Sequence, residues 1–158
     1  WRGRPGLQIR KIVDNGNATQ AQIQTAIRGR MVRSAVIGDS GAIPADAWQT
    51  LAPVLSQSGM VGYTHSWRTA GHLRGTHMAS VESPQEAQEA AAMGWRYFAI
   101  LPRDAKPWKG RNVRNEIACP SWASGGKVTC VQCSYCDGAN GKGKAHVAIA
   151  AHGAGIKN

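Results

Sequence analysis

The chemistry that this sequence could carry is concentrated in its four cysteines. Cys130, Cys133 and Cys136 are each separated by two residues, and Cys119 stands upstream, followed directly by Pro120. Thiols two residues apart seldom form a disulfide with each other without strain, and no secretion signal is visible in the sequence. Clustered Cys-x-x-Cys spacing in a non-secreted protein is more typical of a metal or redox site. The cysteines therefore predict one metal centre.

Two kinds of metal centre fit this ligand set. A Cys-x-x-Cys-x-x-Cys run with a remote Cys-Pro resembles the pattern by which bacterial ferredoxins hold a [4Fe–4S] cluster, although here the Cys-Pro pair precedes the run. Four thiolates also suit tetrahedral zinc, and replacement of one ligand by His146 or His152 would favour zinc. We expect a [4Fe–4S] cluster, with zinc as the alternative.

Polar residues follow several predicted strands at the point where each strand ends. In parallel α/β folds, ligands bind beyond the carboxyl ends of the strands, so we expect these side chains to share one rim close to Cys119. A histidine there suits proton transfer, and an arginine suits an anion. The catalytic candidates are Asp39, His65 and Glu82, and the substrate-binding candidates are Tyr63, Trp67 and Arg103. The competing explanation is that both carboxylates only support the helices that follow them.

Alternating helices and strands must position these groups. The apolar pattern predicts helices over 17–27, 44–59 and 83–94, and strands over 32–37, 60–64, 76–81, 95–101, 113–118 and 146–151. This alternation predicts a largely parallel sheet in a single α/β domain over 1–158, with a cysteine-rich metal-binding segment over 113–144. A full eight-fold barrel needs about 250 residues, so an incomplete (β/α) barrel or an open sheet is expected.

The charge balance indicates a second class of partner. The chain has 19 Lys and Arg residues against 9 Asp and Glu, a net charge of +10 and a pI near 10.0. Such an excess favours polyanions, of which nucleic acid is the commonest. Residues 1–16 form a basic lead-in, and the start at Trp1 favours a fragment with an upstream part. The residues that we expect to contact nucleic acid are Lys106, Lys109, Arg111, Arg114, Lys142 and Lys144.

The hydropathy of the sequence and its cysteines indicate where in the cell the protein is expected. No stretch approaches the roughly 18 apolar residues of a membrane span, so we expect no membrane contact. A cytoplasmic location is expected, because cysteines spaced for metal binding belong to reducing compartments.

Several segments together resemble an uncharacterised family of phage- and plasmid-encoded proteins with a C-terminal Cys-x-x-Cys-x-x-Cys motif. They are RGRMVRSAVIGDSGAIP, GYTHSWR, MASVESPQEAQEAAAMGWRYFAI, EIACPSW and TCVQCSYCDG followed by IAAHG, in order from Arg28 to Gly153. The family usually has GDP where this chain has GDS at 38–40, and carries further cysteines upstream of the position of Trp1. The resemblance implies a phage or plasmid setting, the host cytoplasm and the cysteine site, and it implies no activity.

Two functional hypotheses follow. In the first, the chain is an α/β protein with a metal cluster and a polar-ligand pocket at the strand ends, and whether it is an enzyme stays open. In the second, it is a basic, zinc-stapled module that binds nucleic acid without catalysis.

Overall fold

Helices and short strands alternate along the chain. The computed structural model describes residues 19–34, 38–56, 59–103, 115–141 and 143–151. The α-helices are α1 (Gln20–Ile27), α2 (Ala45–Ser56), α3 (Pro84–Ala92), α4 (Pro120–Ala123) and α5 (Cys130–Cys133). The strands are β1 (Val32–Arg33), β2 (Met60–Val61), β3 (Tyr63–Thr64), β4 (Met78–Val81), β5 (Tyr97–Leu101), β6 (Glu116–Ala118) and β7 (His146–Ala150). Short 3₁₀ turns cover Ser40–Ala42 and Gly71–Leu73. Within these segments, no helix combines the length and apolar character needed to cross a bilayer.

Every strand pairing among the described residues is parallel. β1 pairs with β2, and the second sheet has the order β3-β4-β5-β7-β6. The α/β class with mostly parallel strands is therefore confirmed, and the sheets are not closed. The predicted strand over 60–64 is divided at Gly62, where any Cβ would collide with Ser34 and His77. Insertion of β7 between β5 and β6 brings the two chain segments that flank the cysteines side by side.

The predicted helix after β4 shows how local sequence fixes an element. The Ser83 hydroxyl accepts the N–H of Glu86 at 3.2 Å, Pro84 occupies the first turn, and Gly94 ends the helix at φ +78°. The spacing of Ser83 and Glu86 predicts a capping box, but it is not completed, because the Glu86 carboxylate accepts the backbone N–H of Glu82 at 2.8 Å instead. The result is still a tightly anchored helix start beside the sheet.

Other element boundaries differ modestly from the predicted ones. Helix α2 continues past Pro53 to Ser56, so the proline does not stop the helix early. The strand predicted from Thr76 begins at Met78, because His77 before it is drawn into a buried hydrogen-bond network. The parts of predicted elements at 17–18, 35–37, 57–58 and 113–114 lie outside the described residues.

The hydrophobic core lies on one face of the larger sheet. Along β5, Tyr97, Ala99 and Leu101 are buried in it, whereas Phe98 and Ile100 on the other face are half-buried. This alternation is the period-two pattern of a strand with two different faces. Trp67, predicted to contact a ligand, belongs to this core and is 1% exposed. Its place in the turn after β3 directs the indole into the core, away from the strand ends.

Candidate metal centre and strand-end rim

A cavity of about 820 Å³ lies over the second face of the larger sheet, at the carboxyl ends of its strands. Its floor includes Phe98 and Ile100 of β5 and Val147 and Ile149 of β7. Residues that directly follow β3, β6 and β7 lie on its wall. All four cysteines also line it, so residues as far apart in sequence as Cys119 and Cys136 share one open cavity, in which Cys130 is exposed.

Two short turns present the cysteines to the cavity. Cys119 follows β6, where its N–H donates to the Ala148 carbonyl of β7 at 2.9 Å, and α4 begins at the next residue. Cys130 and Cys133 begin and end the single turn α5, which starts with a capping box between Thr129 and Gln132. A turn of this length places residues three apart on one side, so both thiols face the same way.

The chain reverses after α5 to bring the last cysteine back to the cavity. Ser134 has the left-handed φ of 52°. The backbone N–H of Tyr135 is then hydrogen-bonded to the Cys133 sulfur. Amide donors to ligand sulfurs are a recurrent feature of cysteine-held metal centres.

Arg96 fastens the cysteine segment to the sheet. Its guanidinium is buried, and it donates to the Ala145 carbonyl from Nε at 3.1 Å and from Nη2 at 2.8 Å. Nη1 donates to the Gly138 carbonyl at 2.8 Å and to the Asp137 carboxylate at 2.7 Å. Nη2 also contacts the Tyr135 carbonyl. The sequence analysis missed this residue, although a lone arginine next to an apolar strand signals a buried, fully bonded charge.

A second anchor joins the same segment to the loop before β4. The N–H groups of Ala139 and Asn140 donate to the Arg74 and Gly75 carbonyls at 2.9 and 3.1 Å. Gly138 has φ +77°, and a Cβ there would lie 2.5 Å from backbone atoms of Thr76. The loop therefore closes against the sheet only with glycine at this position.

Burial and the nearby cysteine sulfurs favour the protonated forms of Cys133 and Cys136. Burial raises the pKa of Cys136 to about 12, although a hydrogen bond from Tyr63 acts in the opposite direction. Burial likewise raises the pKa of Cys133, and the neighbouring Cys119 and Cys130 sulfurs add to the effect. All four thiols are free of disulfide bonds. A cationic centre would favour the thiolate forms of Cys133 and Cys136, because it offsets the cost of burying their negative charge.

The four cysteines line one cavity without forming the ligand sphere of a metal ion among the described residues. Among the described residues, no three His, Cys, Asp or Glu side chains are arranged as ligands of one metal ion. Tetrahedral zinc with bonds of about 2.3 Å requires sulfurs about 3.8 Å apart. A cluster of four irons holds its cysteines further apart, around a larger body. The metal centre that the sequence predicts is therefore not formed as a ligand sphere among the described residues, although all four thiols line one cavity.

Asp39 and His65 lie together at the edge of the same cavity. The Asp39 carboxylate accepts the Thr64 hydroxyl at 2.5 Å and the backbone N–H groups of His65 and Gly41 at 2.6 and 2.7 Å. His65 Nδ1 lies 3.6 Å from Asp39 Oδ2, and its Nε2 lies 3.8 Å from Glu82 Oε1. The imidazole, which is largely exposed, therefore stands between two carboxylates.

The hydrogen bonds to Asp39 stabilise the ionised form of its carboxyl group. Burial alone would raise its pKa, but the bonds from Thr64, His65 and Gly41 outweigh burial and lower it. A carboxylate whose charge is stabilised in this way is a poor proton acceptor. Asp39 therefore acts as a fixed cap that ties β3 to the turn at 40–42.

The remaining predicted rim residues lie in different places. Tyr63 lines the cavity, with the Arg33 guanidinium 5.5 Å from its ring centre. Glu82 reaches the rim only through His65, and Arg103 follows β5 without lining the cavity. Arg33, which the sequence analysis did not select, is the cation that the structure places at this site.

A hydrogen-bond network of buried side chains supports the wall of the cavity. His77 is fully buried, with Ser34 Oγ 2.8 Å from Nε2 and Thr76 Oγ1 2.9 Å from Nδ1. Ser40 donates to Ser34 at 3.2 Å, which extends the chain to the turn that Asp39 caps. Burial lowers the pKa of His77 to about 4, so the imidazole is neutral at physiological pH.

Most of the predicted nucleic-acid contacts fall outside the described residues. Lys144 is described, and its Nζ donates to the Gly141 carbonyl at 3.3 Å. The others outside the described residues are Lys106, Lys109, Arg111, Arg114 and Lys142, together with the alternative zinc ligand His152.

Comparisons with known proteins leave the site to be interpreted from its own chemistry. No protein-family model, curated protein or solved structure matches this chain.

Proposed function

We propose that this chain is an iron–sulfur protein in which Cys119, Cys130, Cys133 and Cys136 hold a [4Fe–4S] cluster beside a small polar-ligand pocket. The observation that carries the proposal is the convergence of these four free thiols on one cavity. When bound, such a cluster supplies one-electron transfer.

The way in which the cysteine segment is held supports a resident metal centre. A buried arginine with five hydrogen bonds and a glycine that only fits without a side chain are costly features for a surface loop. They fix the positions of the thiols to the sheet, as the ligands of a metal centre require. Ligation free energy would add to folding free energy in the same segment.

The pocket beside the thiols gives the proposal its functional part. His65 suits exchange of a proton with a polar ligand, since its imidazole is accessible and flanked by the Asp39 and Glu82 carboxylates. Arg33 offers a positive charge over the Tyr63 ring, 5.5 Å from its centre. A phage or plasmid setting and binding of nucleic acid by the basic segment remain predictions from the sequence.

The test is cluster assembly in matched variants. The chain is supplied anaerobically with iron and sulfide. Its absorption at about 400 nm and its content of bound iron are then measured. Each Cys→Ser change at the four positions should reduce both signals. Val131→Ser is the control, because it places a hydroxyl between two ligands at a side chain that is 65% exposed without removing a thiol. Equal loss in the control, or full assembly after any Cys→Ser change, would contradict the assignment.

A further inference from the structure

Tyr63 is held by a strand pairing and by two side chains that contact its ring. It begins β3, which pairs with β4 through Met78. Its ring packs against Phe98 with centroids 4.6 Å apart and an interplanar angle of 52°, and Arg33 covers the ring at 5.5 Å. The phenol oxygen therefore has one well-defined position inside the cavity.

That position is next to a cysteine sulfur. The Tyr63 hydroxyl is hydrogen-bonded to the Cys136 sulfur, which is more deeply buried than the Cys133 sulfur. A thiolate sulfur has no proton to give, so a phenol hydroxyl next to a metal-bound Cys136 can only act as the donor.

We propose that Tyr63 is a positioning residue whose hydroxyl donates to the Cys136 sulfur and raises the reduction potential of the cluster. The inference rests on the proposed function. One-electron reduction of a bound cluster by a low-potential carrier would add negative charge, and the ligand sulfurs would carry part of it. A donor hydrogen bond stabilises the more negative state more strongly, above all in a partly buried site. No proton is transferred in the step.

The experiment compares Tyr63→Phe with Tyr135→Phe after anaerobic cluster assembly, with dithionite as reductant. Tyr135 lines the same cavity, but its bond to Cys133 comes from the backbone and survives the change. We expect Tyr63→Phe to lower the equilibrium constant for one-electron reduction about tenfold, a shift of about 59 mV to more negative potential. Tyr135→Phe should leave the potential unchanged, and iron and sulfide contents should be equal in all three proteins.

The outcomes separate this inference from the proposed function. An intact cluster with an unchanged potential in Tyr63→Phe, or an equal shift in Tyr135→Phe, overturns the role of Tyr63 and leaves the cluster assignment intact. A wild-type chain that assembles no cluster overturns both.

If the Tyr63→Phe variant holds no cluster, a second measurement tests the same inference. The chain has three tyrosines, so Tyr97→Phe and Tyr135→Phe together leave Tyr63 alone for replacement by fluorotyrosine. This more acidic phenol is a stronger donor and should raise the potential. An unchanged or lowered potential overturns the inference.

Discussion

Acidification should destabilise the fold through His77. In the unfolded chain this imidazole has a pKa near 6.5, and in the folded protein burial lowers it to about 4, while the charge of Asp39 partly opposes and His72 slightly reinforces the shift. Between these two values the unfolded chain binds more protons, so the free energy of unfolding falls as the pH drops through this window. From about pH 7.5 to pH 5 the loss from His77 is about 2 kcal/mol, at 1.36 kcal/mol per pKa unit.

The assay is urea unfolding of the anaerobic protein at these two pH values. His77→Gln should lower stability at neutral pH and reduce the pH-dependent loss by about 2 kcal/mol. His146 is the control, because burial also lowers its pKa but to a lesser extent. The His146→Gln variant should therefore retain most of the loss. A His77→Gln variant with the full wild-type pH dependence would refute the assignment of a neutral, buried His77.

Three substitutions test how the cysteine segment and the rim are held, each by urea unfolding. Arg96→Met should cost about 3–5 kcal/mol, because it removes the donor to Asp137 and to buried carbonyls, whereas Arg68→Met removes exposed ion pairs to Glu86 and Glu89 and a contact with the Trp67 ring and should cost under about 1 kcal/mol. Gly138→Ala should be more destabilising than Gly125→Ala, since both have positive φ but only Gly138 meets backbone atoms; equal costs would contradict the close approach. Asp39→Asn should cost about 1.5–3 kcal/mol, because an amide N–H₂ would face a backbone N–H, and a neutral result would argue against the capping role.

The sequence predicted those features that depend on neighbours along the chain. The helix from Pro84 and the strands around Phe98 and Val147 follow from local periodicity and caps. Asp39 and His65 were also expected to lie close together, and the His65 N–H donates to the Asp39 carboxylate at 2.6 Å, although β1 and β3 belong to different sheets.

The features that were missed depend on partners distant in sequence. The insertion of β7 between β5 and β6 is decided by packing of non-local strands, which periodicity does not encode. Trp67 follows His65 by two residues and shares its polar surroundings in sequence, yet a turn directs it into the core. Arg96 bonds to carbonyls more than 35 residues away, and nothing near it in the sequence identifies them.

The measurement that tests the central claim most directly is the metal and sulfide content of the anaerobically purified chain. The account predicts about four irons and about four acid-labile sulfides per chain, with the four thiols protected from alkylation until the cluster is removed. One zinc per chain without sulfide, or four thiols that react at once in a folded, metal-free protein, would contradict it.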